Sequence, residues 1–206
     1  MEEAAGLAVV YATMLWSLED VAEMRAGETV LLHAGAGGTG IAGVNVAAML
    51  GGRVVATAGT VEKRWFVGEV LGVGADRVFD SRRPGFGDGV MRVTRGGGVD
   101  VVVNSLAGSA IGESVRTLCA YGRFVELGKT AIYGGGRLAL EPFGNNLSYA
   151  AVDIDRLAAE QPRELRRLLQ RTRMMAMRGG GGWIRHVVDA RFGVDGVREA
   201  LAAMRR

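Results

Sequence analysis

The chain reads as an α/β protein built on a doubly wound parallel sheet. Three observations carry this reading. Short apolar runs rich in valine alternate with helical patterns along the first 130 residues. A glycine cluster, Gly35-Ala36-Gly37-Gly38-Thr39-Gly40, stands between the first such strand and the first following helix. A second buried strand then follows within the distance one strand–helix–strand unit needs.

Each element follows from its residues. Ala4 to Arg25 carries Leu7, Val10, Tyr11, Met14, Leu15, Leu18 and Val21 at helical spacing, which predicts a buried helix ending at Arg25-Ala26-Gly27-Glu28. Thr29 to His33 is a buried strand, the glycine turn follows, and Ile41 to Leu50 is a helix. Arg53 to Thr57 is the second strand and Val61 to Leu71 the next helix. A short strand is expected over Asp76–Asp80, a loop over 81–85, a helix over Phe86–Val93, and a fourth strand over Val99–Asn104. Gly108 to Ala120 reads as a helix, with Cys119 in its apolar core, and Gly122 to Gly128 as the fifth strand. Ala131 to Asn146 reads as a mobile loop, Leu147 to Asp153 as a sixth strand, and Asp155 to Met177 as a helix with a solvated arginine face. A strand over Trp183–Asp189 and a helix over Val194–Arg206 close the chain.

Composition narrows the function. The 206 residues suffice for one domain with a substantial core. No run approaches the roughly 20 apolar residues of a membrane span, and the acidic start is unlike a signal peptide. A net charge of +3 without a basic stripe gives no nucleic-acid footprint. A single cysteine excludes a disulfide framework and a cysteine zinc lobe, so we expect no metal and a cytoplasmic setting.

The glycine turn in this context predicts a dinucleotide site. Glycines permit a sharp turn and close approach to a pyrophosphate, and the helix amino end offers free N–H groups and a positive dipole. Ligands on such sheets bind beyond the strand carboxyl ends, so His33, Thr57, Asn104–Leu106 and Gly128–Thr130 should share one edge. An NAD site usually ends its second strand with an acid; here Thr57-Ala58-Gly59 has none and Lys63-Arg64 follow. That pattern favours NADPH; the competing reading is that Lys63 and Arg64 solvate a helix face. The chain has only two lysines, Lys63 and Lys129, among many arginines.

His33-Ala34-Gly35-Ala36-Gly37-Gly38-Thr39-Gly40 resembles the HAAAGGVG stretch of enoyl reductase domains in modular polyketide synthases and animal-type fatty acid synthases, within the zinc-free medium-chain reductases. Leu71 to Asp76, Val103 to Gly108 and Gly122 to Thr130 look like further blocks of that family. The resemblance runs from about residue 4 to 204 and implies a Rossmann-type fold. It also implies NADPH-dependent reduction of a trans-2-enoyl thioester on an acyl carrier protein. By motif, Gly37, Gly38, Thr39 and Gly40 would hold the pyrophosphate and Lys63 and Arg64 the 2′-phosphate. Thr57, Asn104, Ser105, Leu106 and Gly128 would line the cofactor edge. Lys129 would donate the proton or stabilise the enolate; a solvated loop lysine is the alternative.

Two departures accompany the resemblance. Ala131 replaces an aspartate two residues after the lysine, which leaves Lys129 without its acidic neighbour and in open solvent. The substrate lobe that precedes these blocks in the family is largely missing, so the chain is expected to be the cofactor lobe of a longer synthase, with 183–206 starting the return to that lobe. Such a lobe should bind cofactor, turn over poorly alone, and self-associate through its uncovered apolar face. Its partners would be the carrier protein and neighbouring synthase domains. The alternatives are a free-standing quinone or enal reductase and a non-catalytic structural module. His33 and Cys119 read as structural, His186 as a surface residue, and Tyr133 and Tyr149 as residues that could approach a substrate.

Overall fold

A computed structural model describes residues 7–177 and 190–203. Six strands form one fully parallel sheet in the order β3-β2-β1-β4-β5-β6. They are β1 Thr29–Leu32, β2 Arg53–Ala58, β3 Val78–Asp80, β4 Val99–Asn104, β5 Leu118–Glu126 and β6 Ser148–Ala151. This is the Rossmann-type order, with the chain reversing direction across the sheet between β1 and β4.

Period-two alternation sends side chains to both faces, and both are covered. Val30, Leu32, Ala56, Val101, Val103 and Val125 pack with α1 (Ala8–Leu15), α2 (Gly38–Met49) and Leu168 of a late helix. Leu31, Val55, Val102 and Phe124 face α4 (Phe86–Val93) and α5 (Ser109–Val115) on the other side. Short β-branched runs buried on both faces explain why the strands read so clearly. Helix α3 (Val61–Trp65) lies between β2 and β3.

Several boundaries differ from expectation. The first helix stops at Leu15 and continues as a π-helical turn over Trp16–Val21, and residues 1–6 lie outside the described set. The Val61 helix likewise becomes π-helical over Phe66–Val70. The 108–120 segment is not one helix: α5 ends at Val115, and β5 starts at Leu118 because Val99 of β4 pairs with it. Cys119 therefore sits half-buried on a strand, its thiol against Asp100. The 131–146 segment is not simply a loop: α6 spans Lys129–Tyr133, and a 3₁₀ turn covers Glu141–Asn145. The 155–177 helix breaks at Pro162, giving α7 (Ile154–Glu160) and α8 (Pro162–Met177). Proline lacks the N–H that would continue α7. A 3₁₀ turn precedes α9 (Val197–Ala203). The strand expected over Trp183–Asp189, with His186, lies outside the described residues. Among the described residues, no helix is long and apolar enough to cross a membrane.

Candidate functional site

The first part of the site is the turn after β1. Ala34 adopts a left-handed φ of 51°, Gly35 N donates to Thr57 O at 2.8 Å, and Gly37 N donates to Ala34 O at 2.8 Å. The first bond ties the turn to β2 and the second closes the turn on itself. Helix α2 then starts at Gly38, three residues earlier than expected, with Gly37 at its N-cap, no capping side chain and no acid in its first turn. The leading N–H groups of Gly38, Thr39 and Gly40 thus remain open to an anion.

The glycines have different jobs. A Cβ on Gly38 would meet only Val10 Cγ1, at 3.4 Å. One on Gly40 would strike the Ala34 carbonyl and lie 2.5 Å from Gly35 Cα. Gly40 is therefore required by packing, whereas Gly37 and Gly38 form the exposed lip.

Behind the lip lies His33, whose imidazole is buried. Its Nε2 bonds Ser114 Oγ at 2.8 Å, and Ser114 Oγ itself donates to Ala110 O. The serine proton is committed, so Nε2 carries the imidazole hydrogen and Nδ1 accepts from Thr57 Oγ1 at 2.8 Å. Burial lowers the His33 pKa to about 3, so the ring is neutral. Thr57, expected at the cofactor edge, is instead fully buried with its hydroxyl turned to His33.

At the ends of β2 and β3 the picture is less simple than a strand without an acid. Ala58 pairs with Asp80 of β3, bringing a carboxylate to the same edge. Arg64 Nη1 lies 3.1 Å from Asp80 Oδ2 and 3.4 Å from Ala58 O. The backbone N–H of Arg82, then Arg64, Arg83 and Arg82 as charges, hold Asp80 below its ordinary value. Arg82, which sequence reasoning passed over, packs on Gly59: a Cβ there would sit 2.8 Å from its Nε. Lys63 is exposed in the same short helix. The edge therefore gathers Arg64, Arg82 and Arg83 around one carboxylate, with Lys63 exposed on the neighbouring helix.

The third part joins β4 to β5. Glu126, also missed, is buried at the end of β5. Its Oε2 accepts from Asn104 Nδ2 at 2.7 Å and its Oε1 from Gly128 N at 2.6 Å. Asn104 Nδ2 also donates to Leu106 O at 2.9 Å, and Leu106 N donates to Asn104 Oδ1 at 3.2 Å. One carboxylate thus fixes both loops, bringing together Asn104, Leu106 and Gly128, with Ser105 exposed between them. A Cβ at Gly128 would meet Glu126 Oε1 at 2.7 Å, which explains glycine there. Burial raises the Glu126 pKa against the lowering effect of its two hydrogen bonds. The only sequence signal was a lone acid closing an apolar strand.

Gly128 leads directly into α6, so the same clamp sets Lys129. Lys129 Nζ lies 2.8 Å from Asp155 Oδ2 and 3.0 Å from Asp153 Oδ1. The expectation that Ala131 leaves this lysine without an acid in open solvent is corrected: two carboxylates reach it from beyond β6, and its side chain is half exposed. Asp155 first, then Asp153, hold the ammonium well above its ordinary value. The Lys129 bond chiefly brings Asp153 down to about 2, helped by Tyr133, whose hydroxyl donates to it at 3.0 Å. Asp153 also caps α7, accepting from Asp155 N and Arg156 N. The group borders a cleft of about 290 Å³ lined by Trp16, Glu126, Lys129, Asp153 and Leu157.

β1, β4 and β5 are sheet neighbours, so turn, clamp and lysine share one carboxyl edge. The open helix end fits a pyrophosphate. Among the described residues, no group of three or more histidine, cysteine, aspartate or glutamate side chains could hold a metal ion.

Comparison with known proteins identifies the family and the fold. Residues 38–169 match the family described as zinc-binding dehydrogenase. The chain is 45% identical over 168 residues to phthioceranic/hydroxyphthioceranic acid synthase of Mycobacterium tuberculosis (strain ATCC 25618 / H37Rv), covering 81% of this chain but only 8% of the synthase. It is 41% identical to the X-ray structure of the nucleotide-binding subdomain of the enoylreductase domain of PpsC from Mycobacterium tuberculosis, with a TM-score of 0.78, covering 84% of this chain and 94% of that one. A putative enoyl reductase domain of polyketide synthase is 39% identical, with a TM-score of 0.76 and the same coverage of 84% and 94%.

Proposed function

The chain belongs to the zinc-binding dehydrogenase family, among the enoyl reductase domains of polyketide synthases, and from that premise we propose that it holds NADPH for reduction of a trans-2-enoyl thioester borne on an acyl carrier protein. The observation that carries this reading is the shared edge: an open helix amino end at Gly38–Gly40 and a paired Lys129 flank the Asn104–Glu126 clamp.

Bound NADPH would supply the hydride. Gly37, Gly38, Thr39 and Gly40 bind the pyrophosphate through backbone N–H groups and helix dipole. Lys63, Arg64 and Arg82 bind the 2′-phosphate, Arg64 exchanging part of its hold on Asp80 for the ligand. Asn104, Ser105, Leu106 and Gly128 present a rigid edge to the nicotinamide, because Glu126 fixes both loops. Lys129, kept protonated by Asp155 and Asp153, delivers a proton at the α carbon or steadies enolate charge. The two aspartates take the place of the acid that Ala131 lacks. Lys129 is half exposed, and hydride transfer needs a site free of water. The chain alone therefore binds cofactor but turns over slowly. Its setting is the cytoplasm, beside neighbouring synthase domains.

Calorimetry with NADPH and NADH tests the cofactor. Charge-assisted phosphate bonds of roughly 1.5–3 kcal/mol each predict at least about tenfold preference for NADPH, which Lys63→Ala/Arg64→Ala should abolish. Equal affinity of the unmutated chain for both would refute it. In the parent reductase, Lys129→Met should slow NADPH oxidation by a crotonyl thioester without weakening NADPH binding.

A further inference from the structure

We infer that the amino edge of the sheet carries a second ligand site, for a phosphate-class oxyanion, formed by Arg53, Arg77 and Arg95. The three residues, all exposed, line one cavity of about 410 Å³. Arg53 opens β2, Arg77 immediately precedes β3, and Arg95 precedes β4 in the turn after α4. β2 spans Arg53–Ala58, roughly 20 Å at about 3.3 Å per residue, so this cavity lies at the opposite edge from the glycine turn.

The positive charge is not cancelled. The one carboxylate of the cavity wall, Asp100, is turned into the wall: Oδ2 accepts from Thr29 N at 2.7 Å, and Oδ1 faces the Cys119 thiol at 3.5 Å. Arg53 Nε donates to a hydroxyl, Thr29 Oγ1, at 3.3 Å. Arg77 Nε makes only a long ion pair, 4.0 Å, with the exposed Asp76. Arg95 makes no ion pair among the described residues.

The backbone at Arg95 is an independent observation. Gly96 N donates to Met91 O at 2.8 Å and Arg95 N to Arg92 O at 3.1 Å, which is the Schellman closure of α4. Arg95 is its left-handed residue, with φ of 54°, where glycine or asparagine is the ordinary choice. Arg92, in the last turn, already supplies the cation that a helix carboxyl end favours. Thr94 Oγ1 accepts from Gly98 N at 3.1 Å and holds the turn in place. An arginine held in this conformation beside three glycines, at a cavity that two more arginines line, is the second observation behind the proposal. Guanidinium forks match tetrahedral oxyanions, and the volume exceeds that of phosphate alone, leaving room for the alcohol part of an ester.

The test titrates the chain with inorganic phosphate and with glycerol 3-phosphate, at ionic strength fixed by chloride. Binding is read from arginine Nε–Hε resonances and from the thermal midpoint. Saturable shifts are expected at Arg53, Arg77 and Arg95, and the tighter of the two probes identifies free anion or ester as the source. Arg53→Met/Arg77→Met should weaken binding at least about tenfold. Arg95→Gly should raise the thermal midpoint without phosphate, because glycine relieves the left-handed backbone, while losing about tenfold in affinity. Saturating NADPH should leave the phosphate titration unchanged, which separates this site from the cofactor edge. Shifts that chloride reproduces, or undiminished affinity in Arg95→Gly and in the double variant, would overturn the proposal.

Discussion

Removing Asn104 should expose how the Glu126 clamp works. Asn104→Ala deletes the 2.7 Å bond to a buried carboxylate and both bonds to the Leu106 backbone. A charge-assisted bond contributes about 1.5–3 kcal/mol and each neutral bond about 0.5–1.5. Loop relaxation recovers part of this, so we expect a loss of about 2–4 kcal/mol at pH 8, or about 5–15 °C in thermal midpoint. The loss should depend on pH with a definite sign. Burial already raises the Glu126 pKa, so this group favours the folded state most below its unfolded value and least above its folded value. Asn104 lowers that folded value; its removal raises it further. The penalty of Asn104→Ala should therefore be larger at pH 8 than at pH 5, because proton uptake by Glu126 relieves it as the pH falls. Urea unfolding at the two pH values measures this. Asn104→Ala/Glu126→Gln should lose the pH dependence, since no ionisable group remains at position 126. A loss under about 1 kcal/mol, or one identical at both pH values, would refute the view that Asn104 chiefly compensates a buried charge.

The glycine turn separates packing from binding. Gly40→Ala should destabilise the fold by about 1–3 kcal/mol, measured by urea unfolding, because its Cβ meets backbone of the turn. Gly38→Val should leave the thermal midpoint nearly unchanged and abolish NADPH fluorescence enhancement, because its side chain enters the space beside the open N–H groups. Asp153, lowered to about 2 mainly by Lys129, contributes stability that is present above its ordinary value of 3.8 and lost as pH falls toward 2. Lys129→Met should therefore flatten the acid limb of stability in that window, read by circular dichroism.

The sequence by itself determined the sheet and the turn. Val99–Asn104 and Phe86–Val93 were legible to the residue, because a β-branched run that follows a glycine triplet and a helix flanked by glycines are local signals. Gly37 to Gly40 were legible as the turn that opens a helix because strand, turn and helix follow one another along the chain. What the tertiary structure decided was every pairing between distant residues. β5 begins at Leu118 because β4 offers it a partner, a contact no local pattern encodes. Asp80 reaches the carboxyl edge of the sheet through register with Ala58, and Arg82 by packing on Gly59. Glu126 is a clamp only because Asn104, 22 residues earlier, ends the neighbouring strand. Lys129 gains its carboxylates from the segment after β6, and Arg53, Arg77 and Arg95 meet only because parallel strands bring their amino ends to one edge. Hydrogen bonds and ion pairs act over a few ångströms of space, whereas the local patterns of a sequence extend only a few residues along the chain.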